Sequence, residues 1–168
     1  MVRFEICINT GQWCRFTEFY VEHRQRIIPD YKVIHALVDV KNYMRRGRGA
    51  ILTDEADQVV GMGSFVLGLA DQGFEHKEIA VLGNCYFTDQ YQNNRTFVRG
   101  LQVLAEQIGE AGNNVKEVRI PTAADNAYTN HLYQKFSKRI HTFPTLYGQF
   151  HVYSTTYDQF VSFCRRFR

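Results

Sequence analysis

Apolar positions along the chain follow two rhythms. Val2, Phe4, Ile6 and Ile8 alternate with polar or smaller residues, which predicts a strand over 2–9. Thr10 stands where it can cap a helix that carries Trp13, Phe16 and Tyr20 on one face. Pro29-Asp30 opens a second helical pattern, with Val33, Leu37, Val40 and Met44 at i, i+4, i+7 and i+11. Two strands follow over 50–54 and 58–69, joined by the acidic turn Asp54-Glu55-Ala56-Asp57. A loop over 70–75 leads to a longer strand over 78–87. Leu101, Leu104, Ala105 and Ile108 restore the helical spacing, and Gly112 stops it. A strand over 115–120, a helix over 124–136 and an antiparallel pair over 139–143 and 149–155 complete the body. Phe160, Phe163, Cys164 and Phe167 then form an apolar stripe on a short closing helix at about 157–167.

This order predicts a mixed α/β (α+β) architecture: a central, mostly antiparallel sheet of six to seven strands flanked by helices. Parallel neighbours need helical crossovers, whereas hairpin partners need only turns. With three prolines, no low-complexity linker and no internal repeat, residues 1–168 read as a single domain.

Composition narrows the function classes. The 168 residues are 45% hydrophobic and 22% charged, which excludes a disordered or fibrous chain. The net charge of +3 is too small to argue for nucleic acid, and none is expected as a partner. The clusters Arg45–Arg48 and Arg165–Arg168 read as solvated helix ends. Cysteines at 7, 14, 85 and 164 show no C-x-x-C spacing, and the histidines form no H-x-x-x-H pair, so no metal site is expected. No apolar run approaches the ~20 residues that cross a bilayer, and no secretory leader is visible, so the expected setting is cytoplasmic, with no membrane partner.

The most informative segment is Asn126-Ala-Tyr-Thr-Asn-His-Leu-Tyr133-Gln-Lys135, on a helix that follows a strand. An Asn after a strand, with a Tyr seven residues on in an L-Y-x-K context, resembles the GCN5-related N-acetyltransferase (GNAT) superfamily. The order of elements agrees over most of the chain. The resemblance implies an acyl-CoA N-acyltransferase-like fold and an acetyl-CoA-dependent N-acetyltransferase. Such an enzyme moves an acetyl group to a primary amine of a small molecule or peptide by direct attack in a ternary complex. Tyr133 then takes the general-acid role, protonating the departing thiolate. Asn126 holds the pantetheine arm or its own loop.

The family's pyrophosphate loop, Q/R-x-x-G-x-G/A, falls on Gln92-Asn93-Asn94-Arg95-Thr96-Phe97. Gln92 agrees, while Arg95 and Phe97 stand where small residues belong. Arg95 offers a compensating guanidinium for phosphate. Backbone groups along 84–87, at Cys85 and Phe87 in particular, are expected to bind the cofactor's amide chain and the reaction's oxyanion. No general base is evident: Val81 stands at the position aligned with the family's glutamate, and Glu75, His76, Glu78 and Asp89 are the other candidates. The acceptor pocket maps onto 24–32 and 143–149, segments rich in Tyr and Arg that suit an aromatic or anionic acceptor. The departures at Arg95 and Phe97 motivate an alternative, a catalytically degenerate acyl-CoA-binding or protein-interaction module on the same fold. A homodimer is left open.

Overall fold

The computed structural model describes residues 1–166. Its elements run β1 (Arg3–Ile6), α1 (Thr10–Glu22), α2 (Arg24–Ile27), α3 (Val33–Arg46), β2 (Gly47–Thr53), β3 (Val59–Leu69), β4 (Glu75–Leu82), β5 (Tyr86–Phe87), α4 (Asn94–Ala111), β6 (Glu117–Ala123), α5 (Ala127–Tyr133), β7 (Lys138–Thr145), β8 (Gly148–Thr156) and α6 (Tyr157–Arg165). Seven strands lie in the order β1-β2-β3-β4-β6-β8-β7, and the short β5 pairs beside β4 on β3. Every pairing is antiparallel except β4 with β6, which α4 connects as a crossover. The mixed, mostly antiparallel sheet flanked by helices matches the expectation, with one correction that brings the strands to eight. The long strand expected over 78–87 is two strands, β4 and β5, separated by Gly83-Asn84-Cys85.

Helix starts are set locally. Asn9, not Thr10, caps α1: its Oδ1 accepts the Gln12 N–H at 2.9 Å, which leaves Thr10 as the first helical residue. Asn93, Asn126 and Thr156 cap α4, α5 and α6 in the same way. The expected stripe of α3 is corrected too. Ala36, Val40 and Tyr43 are the residues that face the sheet, whereas Val33, Leu37 and Met44 are exposed. Ala36 and Tyr43 flank Val40 at helical spacing, and Tyr43 gains a hydroxyl contact to the Asn84 N–H that an aliphatic residue could not make. Ile8 lies beyond the end of β1 and is exposed. Phe167, the last member of the closing stripe, lies outside the described residues.

The sheet carries a core on each face. On one face α4, α5 and α6 cover Leu52, Phe65, Ala80, Leu82, Val118, Ile120 and Tyr153. On the other, α1 and α3 cover Ile51, Met62 and Val66. Alternation along the strands distributes these residues, as in the neighbours Ile51 and Leu52 of β2.

Candidate active site

The two parallel strands separate halfway along the sheet. β4 and β6 pair only from Ile79 with Glu117 to Val81 with Arg119. Beyond that point β6 continues against β8 to Ala123, while the other strand is interrupted at Gly83 and resumes as β5, antiparallel to β3 in the same direction and one residue out of register. Glycine is required at the break. A Cβ at Gly83 would lie 2.3 Å from the Ser64 Oγ and 2.6 Å from the Tyr43 ring. The Gly83 N–H donates to the Ser64 carbonyl at 2.8 Å and the Asn84 N–H to the Tyr43 hydroxyl at 3.3 Å. The next backbone N–H, that of Cys85, has no partner among the described residues.

A cavity fills the gap between the diverging strands. Gly83, Asn84, Cys85 and Phe87 line one side, Ile120–Ala123 the other, and Phe97, Asn126 and Tyr133 close it. Five of the expected site residues (Cys85, Phe87, Phe97, Asn126 and Tyr133) therefore meet in one space. Tyr133 is buried, with its ring near those of Phe97, Phe136 and Tyr153 at 6.4, 6.1 and 6.0 Å. Its hydroxyl has no hydrogen-bond partner among the described residues. Burial, and then the neighbouring Cys85 and Tyr128, hold its pKa well above the ordinary phenol value, so it carries its proton at neutral pH. The Cys85 thiol is pushed up to about 12 by burial, which makes it a neutral wall group and a poor nucleophile. Asn126 acts on its own loop: its Oδ1 accepts the Thr129 N–H at 3.1 Å, which sets the start of the helix that delivers Tyr133.

Gln92, Asn93, Asn94, Arg95 and Thr96 do not line this cavity; they form the turn into α4 that leads to Phe97. Gln92 Nε2 donates to the Phe87 carbonyl at 2.7 Å, and Asn93 Oδ1 accepts the Thr96 N–H at 2.9 Å. Asn94 accepts the Tyr128 hydroxyl and so ties the turn to α5. Arg95 is exposed and makes no ion pair among the described residues. Phe97 turns inward and stands edge-on to Phe87 and Tyr128, where it forms cavity wall rather than occupying the turn.

None of the candidate bases reaches the cavity. Glu75 and the paired His76 and Glu78 are exposed along the first half of β4, and Asp89 pairs with Arg26 at 2.9 Å. A second cleft adjoins the first and shares Ile28, Asn84, Pro121, Tyr147 and Phe150 with it. The expected segments 24–32 and 143–149 do supply part of its wall, but their arginines do not. Arg24 is spent on the Tyr31 and Val21 carbonyls and Arg26 on Asp89, so the anion-matching charge expected there is missing. Between the clefts runs a polar chain that sequence reasoning passed over. Asn84 Nδ2 donates to the Tyr20 hydroxyl at 2.9 Å, Tyr20 and Tyr31 exchange a hydroxyl bond at 2.9 Å, and Tyr31 donates to Asp39. Only the abundance of tyrosine hinted at it. Among the described residues no cluster of His, Cys, Asp or Glu is placed to hold a metal, and no helix is long and apolar enough to cross a membrane.

This divergence of two central parallel strands, with a tyrosine-bearing helix after the second, is the fold of the GCN5-related N-acetyltransferases. The chain superposes with TM-score 0.69 on a GNAT-family acetyltransferase from Staphylococcus aureus Mu50, at 14% identity over 92% of this chain and 99% of that one. It superposes at 0.66 on the ribosomal-protein-S18-alanine N-acetyltransferase of Escherichia coli, at 15% identity over 93% and 94%. A GCN5-related N-acetyltransferase from Kribbella flavida gives 0.65, at 13% identity over 92% and 97%. No family model and no curated protein matches the sequence.

Proposed function

We propose that the protein is an acetyl-CoA-dependent N-acetyltransferase whose acceptor is a primary amine. The observation that carries the reading is the cavity between the separated strands, lined by the proton-bearing Tyr133 and by Cys85, whose N–H has no partner among the described residues. The residues suit an extended, amide-bearing chain. The broken edge at Gly83–Cys85 offers a backbone donor, and β6 runs on past the end of β4. The α4 N-terminus with Arg95 beside it suits a pyrophosphate.

Acetyl-CoA would supply an acyl thioester. The new bond is C–N, the broken bond is C–S, and the amine's proton passes to water, which returns a proton to Tyr133 after it has protonated the leaving sulfur. The Tyr133 Oη–H would give its proton to the departing sulfur, because burial keeps that proton in place at the pH of the reaction. The Cys85 N–H would hydrogen-bond to the carbonyl oxygen as it gains charge. Asn126 would position Tyr133 through the α5 start, and Phe87 and Phe97 would keep the space dry.

The test is calorimetric titration with acetyl-CoA beside an amine screen read by thiol release. Binding in the micromolar range, with turnover that falls about 10²-fold in Tyr133→Phe while affinity holds, is the expected result. Arg95→Ala should weaken binding without changing the rate at saturation. No binding at millimolar cofactor would overturn the reading.

A further inference from the structure

The second cleft has a composition at odds with the chain that builds it. The protein carries 20 Lys and Arg, yet no residue of either type lines this cleft or the cavity beside it. The charged or titratable groups on the second cleft's wall are Asp39, His35 and the phenols of Tyr31 and Tyr147. Asp39, on α3, is half-buried, and one carboxylate oxygen accepts the Tyr31 hydroxyl. The other makes no hydrogen bond, and the carboxylate forms no ion pair among the described residues. His35, four residues earlier, is engaged with the Tyr147 hydroxyl at 2.5 Å. A partly desolvated carboxylate without a cation is electrostatically incomplete. Burial accordingly raises the affinity of Asp39 for a proton.

The surroundings fit a cation in particular. Tyr31 and Tyr147 meet edge to face at 5.5 Å, and Phe143 and Phe150 stack at 6.0 Å on the same wall. Aromatic faces attract ammonium groups and repel carboxylates. Tyr147 is itself fixed, because its hydroxyl also accepts the Lys32 N–H at 3.0 Å at the start of α3.

Asp39 is not placed to serve the nitrogen that reacts. It lines only the second cleft, whereas Tyr133 and Cys85 line only the first. A carboxylate against the attacking amine would also keep that amine protonated and unreactive. A cation drawn to Asp39 is therefore a different group, reached through the passage bounded by Asn84, Pro121 and Tyr147.

We propose that Asp39, in its cleft of tyrosine and phenylalanine rings, is the specificity-determining residue for an acceptor that carries a second cationic group: a small aliphatic diamine or polyamine. One ammonium rests against Asp39, and an alkyl spacer crosses the apolar passage past Ile28 and Phe150. The far nitrogen reaches the space in front of Tyr133. This rests on the acetyltransferase reading above for the fate of the far nitrogen, but not for the binding of the near one.

The test is calorimetric titration of the full chain, free and saturated with coenzyme A, using three probes of equal reach: cadaverine, pentylamine and 5-aminopentanoic acid. Cadaverine should bind about tenfold more tightly than pentylamine, with the amino acid weakest, as one part-buried ion pair warrants. In Asp39→Asn, checked by thermal melting, cadaverine and pentylamine should bind alike. Equal binding of all three to the unaltered protein, or preference for the amino acid, would overturn the proposal whether or not the variant folds. Coenzyme A binding without a diamine preference would sink this inference and spare the transferase. Diamine preference without coenzyme A binding would do the reverse.

Discussion

The two faces of the sheet are held by different chemistry. Under α4, α5 and α6 the core is mostly aliphatic and phenylalanine side chains, with Phe160 fully buried and Phe136 stacked on Phe163 at 4.0 Å, and the tyrosines among them, Tyr133 and Tyr153, are not linked to each other by hydrogen bonds. Under α1 and α3 the apolar core also holds Tyr20, Tyr31 and Tyr43, and the hydroxyls of Tyr20 and Tyr31 bond to each other and end on Asn84 and Asp39. The first face works mostly through shape and backbone: it positions a broken strand edge and a helix start. The second works through named polar atoms. In the function proposed above, the cofactor would meet mainly backbone groups, which leaves side chains free to vary, whereas the acceptor would be chosen by side chains. Buried polar networks are also the costly kind of core, since every member needs a partner.

The largest effect that would break this contrast is expected from Phe160→Ala. Truncating a fully buried ring should cost about 3–5 kcal/mol in chemical denaturation, through lost transfer energy and the cavity left behind. Next is Tyr20→Phe, which conserves shape and removes only a hydroxyl. It should still cost about 1–3 kcal/mol, because the Asn84 amide and the Tyr31 hydroxyl lose a buried partner. A neutral Tyr20→Phe would mean that the tyrosines act as plain packing and that the faces do not differ in kind.

The smallest effect has the opposite sign. Burial raises the pKa of Asp39, with Tyr31 and His35 pulling the other way, so the folded chain holds this proton more firmly than the unfolded chain does. Stability from this group is greatest below the unfolded value, falls as pH rises through the folded value, and is lowest with the carboxylate charged at neutral pH. Asp39→Asn should therefore raise the melting temperature at pH 7 by about 2–4 °C, for a gain of about 1 kcal/mol. The gap should close below about pH 4, where aspartic acid is protonated in either state. A variant that melts lower than the parent at pH 7 would show that Asp39 stabilises the network instead of straining it.

Local pattern determined a good deal of this molecule. The spacing of Leu101, Leu104, Ala105 and Ile108 specified α4 because a helix buries one stripe and solvates the rest. The step from Asn126 to Tyr133 was legible because the cap and the buried phenol belong to a single short helix, where distance along the chain fixes distance in space. The break after Leu82 was not legible. It depends on Ser64 and Tyr43, which come from β3 and α3 and leave no room for a side chain at Gly83. The inward turn of Phe97 likewise depends on Phe87 and Tyr128. Asp39 is the clearest case. In sequence it is one polar residue on a helix, and only the approach of the chain before α3 and of the β7–β8 turn makes it, among the described residues, a carboxylate without an ion-pair partner in an aromatic cleft. Periodicity reports which side of an element is buried, through the free energy of removing apolar groups from water. Which atoms then meet is settled by contacts between residues far apart in the chain, and charge compensation exists only after those contacts form.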